Sequence, residues 1–356
     1  MVAISLPKKK FLNSINYFRG IAIVIIVSAH SYGIANWNVY KDPTLFEQFF
    51  YALNLNGSVF FIFISGFLYN HIFYPRFEYK KFMIKKAKYV LVPYLVCSII
   101  PILYAVFIED QNKFLLDNLQ DKPLLAILWF LVTGRAVYAY WYIPMIMLMF
   151  AISPIINALI KSKYILYAIF CLIPISMIIH RPLHNTNPTH SLIYFLPVYL
   201  SGIYSSIHQQ KIYAFLKSIK VKLALLFSAI SLGLIQILIF NISGNFSKSF
   251  WSVTVPDINL LQKILLCFLL MSVLDNYENT DITVMKKTAE TSFAIYFIHP
   301  FLLNPLTRFV RSLELGFQGN FFTLVIATFS VVIIAIGIAH LLKIVLKRNS
   351  RYIIGW

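Results

Sequence analysis

The sequence predicts an all-α integral membrane fold: a bundle of about ten transmembrane helices with both termini in the cytoplasm. Three observations carry this. The chain is 59% hydrophobic and only 12% charged over its 356 residues, with a mean hydropathy of +0.74, whereas soluble domains are about half apolar and roughly a quarter charged. Apolar runs of bilayer length recur from one end to the other. The Lys and Arg residues between those runs alternate in density.

A bilayer core of about 30 Å takes about 20 mostly apolar residues per helix. Ten segments read as spans: 15–35, 51–73, 87–108, 141–160, 164–180, 191–208, 221–241, 257–275, 289–307 and 321–343. The stretch "LLAILWFLVTGRAVYAY" (124–140) is apolar but short and holds Gly134 and Arg135, so it reads as a re-entrant or interfacial helix on the outer side, packed against protein. With the N-terminus inside, the inner segments hold 21 Lys and Arg and the outer ones 8. The inner clusters begin with Lys8, Lys9 and Lys10 and peak between Arg76 and Lys88, while Lys113 is among the outer eight. Acidic residues lean outward: Asp42, Glu47, Glu109, Asp110, Asp117, Asp121, Asp257 and Glu314. The net charge of +18 is therefore topogenic, the positive-inside pattern, and not a nucleic-acid signal.

One membrane domain accounts for 1–356. No polar stretch is long enough for a second domain, and the final "KRNSRYIIGW" reads as a short tail. No cleavable signal peptide is evident, and there is no internal repeat of the transporter kind. Cys97, Cys171 and Cys267 each sit in apolar runs and read as buried hydrophobes, not as a disulfide framework.

Ionisable groups inside spans are functional candidates, because burying them in a bilayer is unfavourable. Arg19 lies about one turn into the first span and His30 lies 11 residues further on, about 16 Å along a helix axis and on nearly the same face. Arg19 either snorkels to headgroups or holds an anion near the cytoplasmic side. His30 is either a packed histidine or a general base for a hydroxyl, a task suited to an imidazole with an unperturbed pKa near 6.5. In the second span, Ser65 and Gly66 read first as close-packing residues and second as the wall of a channel. Lys85, Lys86 and Lys88 crowd the start of the third span, where a phosphate-rich ligand or anionic membrane lipid would bind. Trp141 and Tyr142 are either interfacial anchors or a stacking platform for a sugar ring. His299, followed by Pro300, falls near the middle of the ninth span. It either bonds a carbonyl freed by the proline or is aimed into the bundle by a kink. His180, His184 and His190 flank an outer loop without carboxylates and make a weak metal signal, so no metal is expected.

"YFRGIAIVIIVSAHS", "GSVFFIFISGFLY", "FMIKKAKYVLVPYLV", "WYIPMIMLMF", "YFLPVYLSGIY" and "SFAIYFIHPFLL" occur in that order along the chain. Together they resemble the acyltransferase type 3 family of bacterial membrane O-acyltransferases. The resemblance implies transfer of an acyl group, usually acetyl, from cytoplasmic acetyl-CoA or another acyl-CoA to a hydroxyl of a cell-surface or lipid-linked polysaccharide. It also implies residence in the bacterial cytoplasmic (inner) membrane and work alongside other polysaccharide biosynthesis proteins. Arg19 and His30 match the family's Arg-x10-His pair, with His30 as the catalytic residue, either as base or as acyl carrier. Ser65 and Gly66 match the second-helix motif, and His299 matches the ninth-helix histidine. Where many members carry Arg-x-x-Arg before the third helix, this chain has Lys86 and Tyr89, with Lys85 and Lys88 adjacent. Lysine binds phosphate as a point charge without arginine's bidentate fork. Rival readings are a transporter of lipid-linked sugars, an accessory subunit of a glycan synthase, and O-succinyl transfer.

Overall fold

The computed structural model describes residues 11–109, 115–314 and 316–356, and each of the ten apolar segments folds as helix. Helix α1 is Asn13–His30, α2 Leu45–Asn54 and α3 Ser58–Leu68. Helices α4 Tyr79–Lys86, α5 Val92–Phe107 and α6 Pro123–Thr133 follow. Next come α7 Tyr142–Ala151, α8 Ser153–Ser162, α9 Ile165–Ile179, α10 Pro188–Ile207 and α11 Gln209–Leu216. The chain continues through α12 Ile219–Leu238, α13 Ile258–Asp275, α14 Thr283–Glu290, α15 Ser292–Ser312, α16 Phe321–Leu346 and α17 Ser350–Ile353. Among the described residues the β structure is one parallel pair, Arg181–Pro182 against Ser247–Lys248, joining the loop after α9 to the loop after α12. Of the charges counted above, Lys8, Lys9, Lys10, Asp110 and Lys113 lie outside the described residues.

Five helical segments are long and apolar enough to cross a bilayer: Leu45–Arg76, Tyr79–Phe107, Ile219–Leu238, Ile258–Asp275 and Phe321–Ile353. The α7–α8 pair, bent by 54°, makes a sixth. Its bend falls at Ser153-Pro154, where the proline withholds an N–H from the preceding turn. Helices α1, α9, α10 and α15 occupy the other expected positions but do not meet that length and composition. The reason is visible for α1, α10 and α15: they carry polar residues on faces that other helices cover. A helix shielded by protein need not be apolar all round. Large apolar side chains such as Ile100, Phe170, Phe227 and Phe322 point outward from α5, α9, α12 and α16, the exterior of a membrane protein.

Three local features position the interior. First, α3 and α10 touch backbone to backbone. A Cβ on Gly66 would lie 2.0 Å from the Tyr199 carbonyl oxygen, and one on Gly202 the same distance from that of Phe63. Second, the helix widens to a π turn over Ala87–Leu91, one turn before Pro93, which cannot donate to the Tyr89 carbonyl. Third, the 124–140 stretch divides. Helix α6 ends on Gly134 in the left-handed region (φ +69), and 134–141 forms an irregular turn leading to α7.

The end of the sequence is not a loose tail. After Lys347 (φ +49) the chain turns back as a 3-10 turn and α17. The Cys97 thiol donates to the Ile353 carbonyl (3.2 Å), and Trp356 packs against His340 (4.8 Å) with the Lys343 ammonium 3.7 Å over its ring. Gly355 (φ +74) lies so close to Phe293 that a side chain would collide with it.

Candidate active site

A cavity of about 650 Å³ runs through the centre of the bundle, within the size range of cofactor and ligand sites. Helix α1 supplies one wall, with Arg19 toward one end and His30 toward the other. The start of α3 packs beside Ile25 and Ile26 of α1, so α3 runs antiparallel to α1. Asn56 and Gly57 therefore sit at the His30 end, and Leu68 sits at the Arg19 end.

The expected residues sort clearly. His30, Arg19, Ser65, Lys86, Trp141 and Tyr142 all line the cavity. The Ser65 and Tyr142 hydroxyls are 3.3 Å apart. Trp141 is almost fully enclosed, stacking on Phe195 at 5.7 Å with the Arg181 guanidinium 5.0 Å from its ring. It is a wall residue of the interior and not an exposed interfacial anchor. Lys86 threads its ammonium between Phe73 (4.4 Å) and Phe150 (4.3 Å) to reach the lumen.

Three of the expected residues stand off the cavity wall. Gly66 does not line the cavity; it is buried in the α3–α10 contact, where only a missing side chain lets the two backbones meet. Lys85 and Lys88 are exposed and stand outside the cavity wall. Successive residues of a helix point in different directions, so of the three lysines only Lys86 faces inward.

His299 is fully buried behind the wall. Its ring stacks on His30 with centroids 5.8 Å apart at 26°. Its Nδ1 donates to the Ile295 carbonyl one turn earlier (3.0 Å), whereas the carbonyl left without its helical N–H by Pro300 is that of Tyr296. Its Nε2 has no hydrogen-bond partner among the described residues.

Four cavity residues were missed by sequence reasoning. Tyr138 lies 4.7 Å from His30, centroid to centroid, and 6.4 Å from His299, and its hydroxyl has no partner among the described residues. Nothing in "TGRAVYAYW" singles it out, because the irregular turn after α6 has no period from which to read its facing. Arg351 reaches the lumen from the returning C-terminal segment, its guanidinium 4.0 Å over the Tyr89 ring. Arg135 and Arg181 reach it from the turns after α6 and α9. Both turns lie outside the spans; burial lowers Arg181 and brings Arg135 down to about 10.

The lining thus holds five basic side chains (Arg19, Lys86, Arg135, Arg181 and Arg351) and, among the described residues, no Asp or Glu. A positively charged channel with a histidine in its wall suits an anionic ligand that brings a reactive group to an imidazole.

Residues 12–340 match the family model of an acyltransferase domain, Acyl_transf_3. The chain belongs to that family. It is a membrane acyltransferase. No curated protein and no solved structure matches it. In this acyltransferase Arg351 and the docked end of the chain lie beyond the matched residues, so part of the cavity wall comes from outside the family's shared region.

Proposed function

We propose that this acyltransferase moves an acyl group, acetyl before succinyl, from cytoplasmic acyl-CoA to a hydroxyl of a cell-surface or lipid-linked polysaccharide. The reading places it as one domain with ten spans and both termini inside, in a bacterial cytoplasmic membrane. The observation that supports it most is His30, open to the lumen of a cavity whose wall also carries five cationic side chains.

The phosphates of coenzyme A rest on Arg19, Lys86 and Arg351, and the pantetheine arm lies along α1 and α3 toward His30. His30 takes the proton of the acceptor hydroxyl. The oxygen attacks the thioester carbonyl, the C–S bond breaks, and the coenzyme A thiolate leaves and takes up a proton. The Tyr138 hydroxyl and the Ser65–Tyr142 pair donate to the carbonyl oxygen as charge develops on it. His299 holds the His30 ring in place. Trp141 stands on the acceptor side.

The test is release of free coenzyme A from acetyl-CoA by the purified protein in nanodiscs, with and without surface glycan, for the wild type and His30→Ala. Glycan-dependent release that vanishes in the variant supports the reading. Undiminished release by His30→Ala, or none from folded wild type with any acyl-CoA, overturns it in favour of a transporter or accessory role.

A further inference from the structure

The cations at the Arg19 end of the cavity answer to the phosphates of a donor. Those at the His30 end do not. Arg181 is 6% exposed, and what it exposes faces the lumen. Its Nη1 donates to the Asn56 side-chain oxygen (3.1 Å) and its Nη2 to that of Asn185 (3.0 Å). Both partners are neutral amides. Among the described residues no carboxylate forms an ion pair with it. The buried acid in its surroundings, Asp257, is engaged elsewhere. One oxygen accepts from the Tyr194 hydroxyl (2.6 Å), and the other caps α13 at the Leu260 N–H (3.1 Å).

The position of Arg181 is built, not incidental. Asn56 holds a left-handed backbone conformation (φ +59) between α2 and α3, and its amide nitrogen is tied to Tyr194 (3.2 Å) and Asn259 (3.3 Å). That network turns the Asn56 oxygen toward Arg181. On the same end of the cavity, Asn245 presents a side-chain oxygen with no partner among the described residues. Trp141 forms the aromatic side of the subsite. A guanidinium desolvated at a cavity wall without a directly bonded carboxylate is stabilised when an anion enters beside it.

We infer that the acceptor is an acidic glycan, and that Arg181, with Asn185 and Asn245, binds the carboxylate-bearing sugar next to the hydroxyl that is acylated. Asp257 attracts the guanidinium without bonding it, and the groups that hold the fork are neutral amides, so its remaining N–H groups stay available to the ligand. The Asn245 oxygen takes a sugar hydroxyl. This inference rests on the acyl-transfer reading for the word acceptor, but the anion subsite stands or falls by itself.

The experiment is equilibrium binding of methyl β-D-glucuronide and methyl β-D-glucoside to the full-length protein in nanodiscs, by calorimetry. The wild type is expected to bind the uronide about tenfold more tightly, the difference one charge-assisted hydrogen-bonded pair makes. Arg181→Gln brings the two sugars to within about threefold, and Arg181→Lys, which keeps the charge but loses the fork, falls between. Equal binding of the two sugars by the wild type, binding of neither, or a preference that survives in Arg181→Gln overturns the inference. If Arg181→Gln does not fold, the wild-type comparison and Arg181→Lys still decide it. Acyl transfer to the same two sugars separates the two readings. A uronide preference in binding, with no thioester turnover by folded wild type on any acyl-CoA and surface glycan, sinks acyl transfer and keeps the anion subsite. Equal transfer to both sugars keeps acyl transfer and sinks the acidic acceptor.

Discussion

The rings of His30 and His299 stack at 5.8 Å, although one closes the first helix of the chain and the other lies in the fifteenth. His30 is open to the lumen and His299 is not. His299 spends Nδ1 on its own helix and keeps Nε2 toward the interior. In the proposed reaction the two histidines divide the work: His30 meets the substrates and His299 orients it. Replacing His30 by Ala is expected to lower kcat by about 10²–10⁴-fold, the range of a lost general base. His299→Gln, which keeps a polar group of similar reach, is expected to retain more activity than His299→Ala and to shift the pH profile of kcat. Identical profiles in wild type and His299→Gln would leave His299 a packing residue only.

Tyr138 is expected to assist at the carbonyl oxygen. Tyr138→Phe removes one hydroxyl and leaves the ring against His30, so kcat should fall on the order of tenfold or more, with KM for acetyl-CoA little changed and the melting temperature preserved. A rise in KM alone would assign the hydroxyl to donor binding.

Gly66 tests packing against catalysis. Gly66→Ala puts a methyl into the Tyr199 carbonyl, so α3 and α10 must separate or the chain must shift. The expected destabilisation is about 1–3 kcal/mol, read as a lower melting temperature in detergent. Activity per folded molecule should fall less than the folded fraction does. A stable Gly66→Ala variant with a raised KM for acetyl-CoA would return Gly66 to the donor channel.

Arg351 connects the end of the chain to the donor. Arg351→Ala is expected to raise KM for acetyl-CoA about tenfold with kcat within about threefold, as for a lost charge-assisted phosphate contact. The effect should shrink with a donor lacking the 3′-phosphate or with the pantetheine thioester alone. Lys85→Ala and Lys88→Ala, whose side chains stand outside the wall, should change KM far less. Equal effects at all three positions would mean that the cations act only as a diffuse field.

The helices were legible because bilayer-length apolar runs leave little choice: all ten expected segments are helical. The Arg19–His30 face was legible because both residues lie on one regular helix with a known period. What the sequence hid came from irregular backbone. Tyr138 and Arg135 sit on a turn without a period, and Arg181 follows α9 in a two-residue strand. Arg351 is brought in by a reversal after Lys347 that no local composition announces. Gly66 took the first of its two readings, packing, and not the second, the channel wall. Its motif is real, but its contact is a backbone one, and small residues at helix crossings look the same in sequence whether they face a ligand or a neighbour.

The most direct measurement of the central claim is transfer of radiolabelled acetyl from acetyl-CoA to glycan by protein reconstituted in vesicles. The donor is supplied only on the face bearing Lys86 and Arg351, and wild type is compared with His30→Ala. The account predicts label on the glycan with wild type and none above background with the variant. Equal labelling by the two proteins would contradict it.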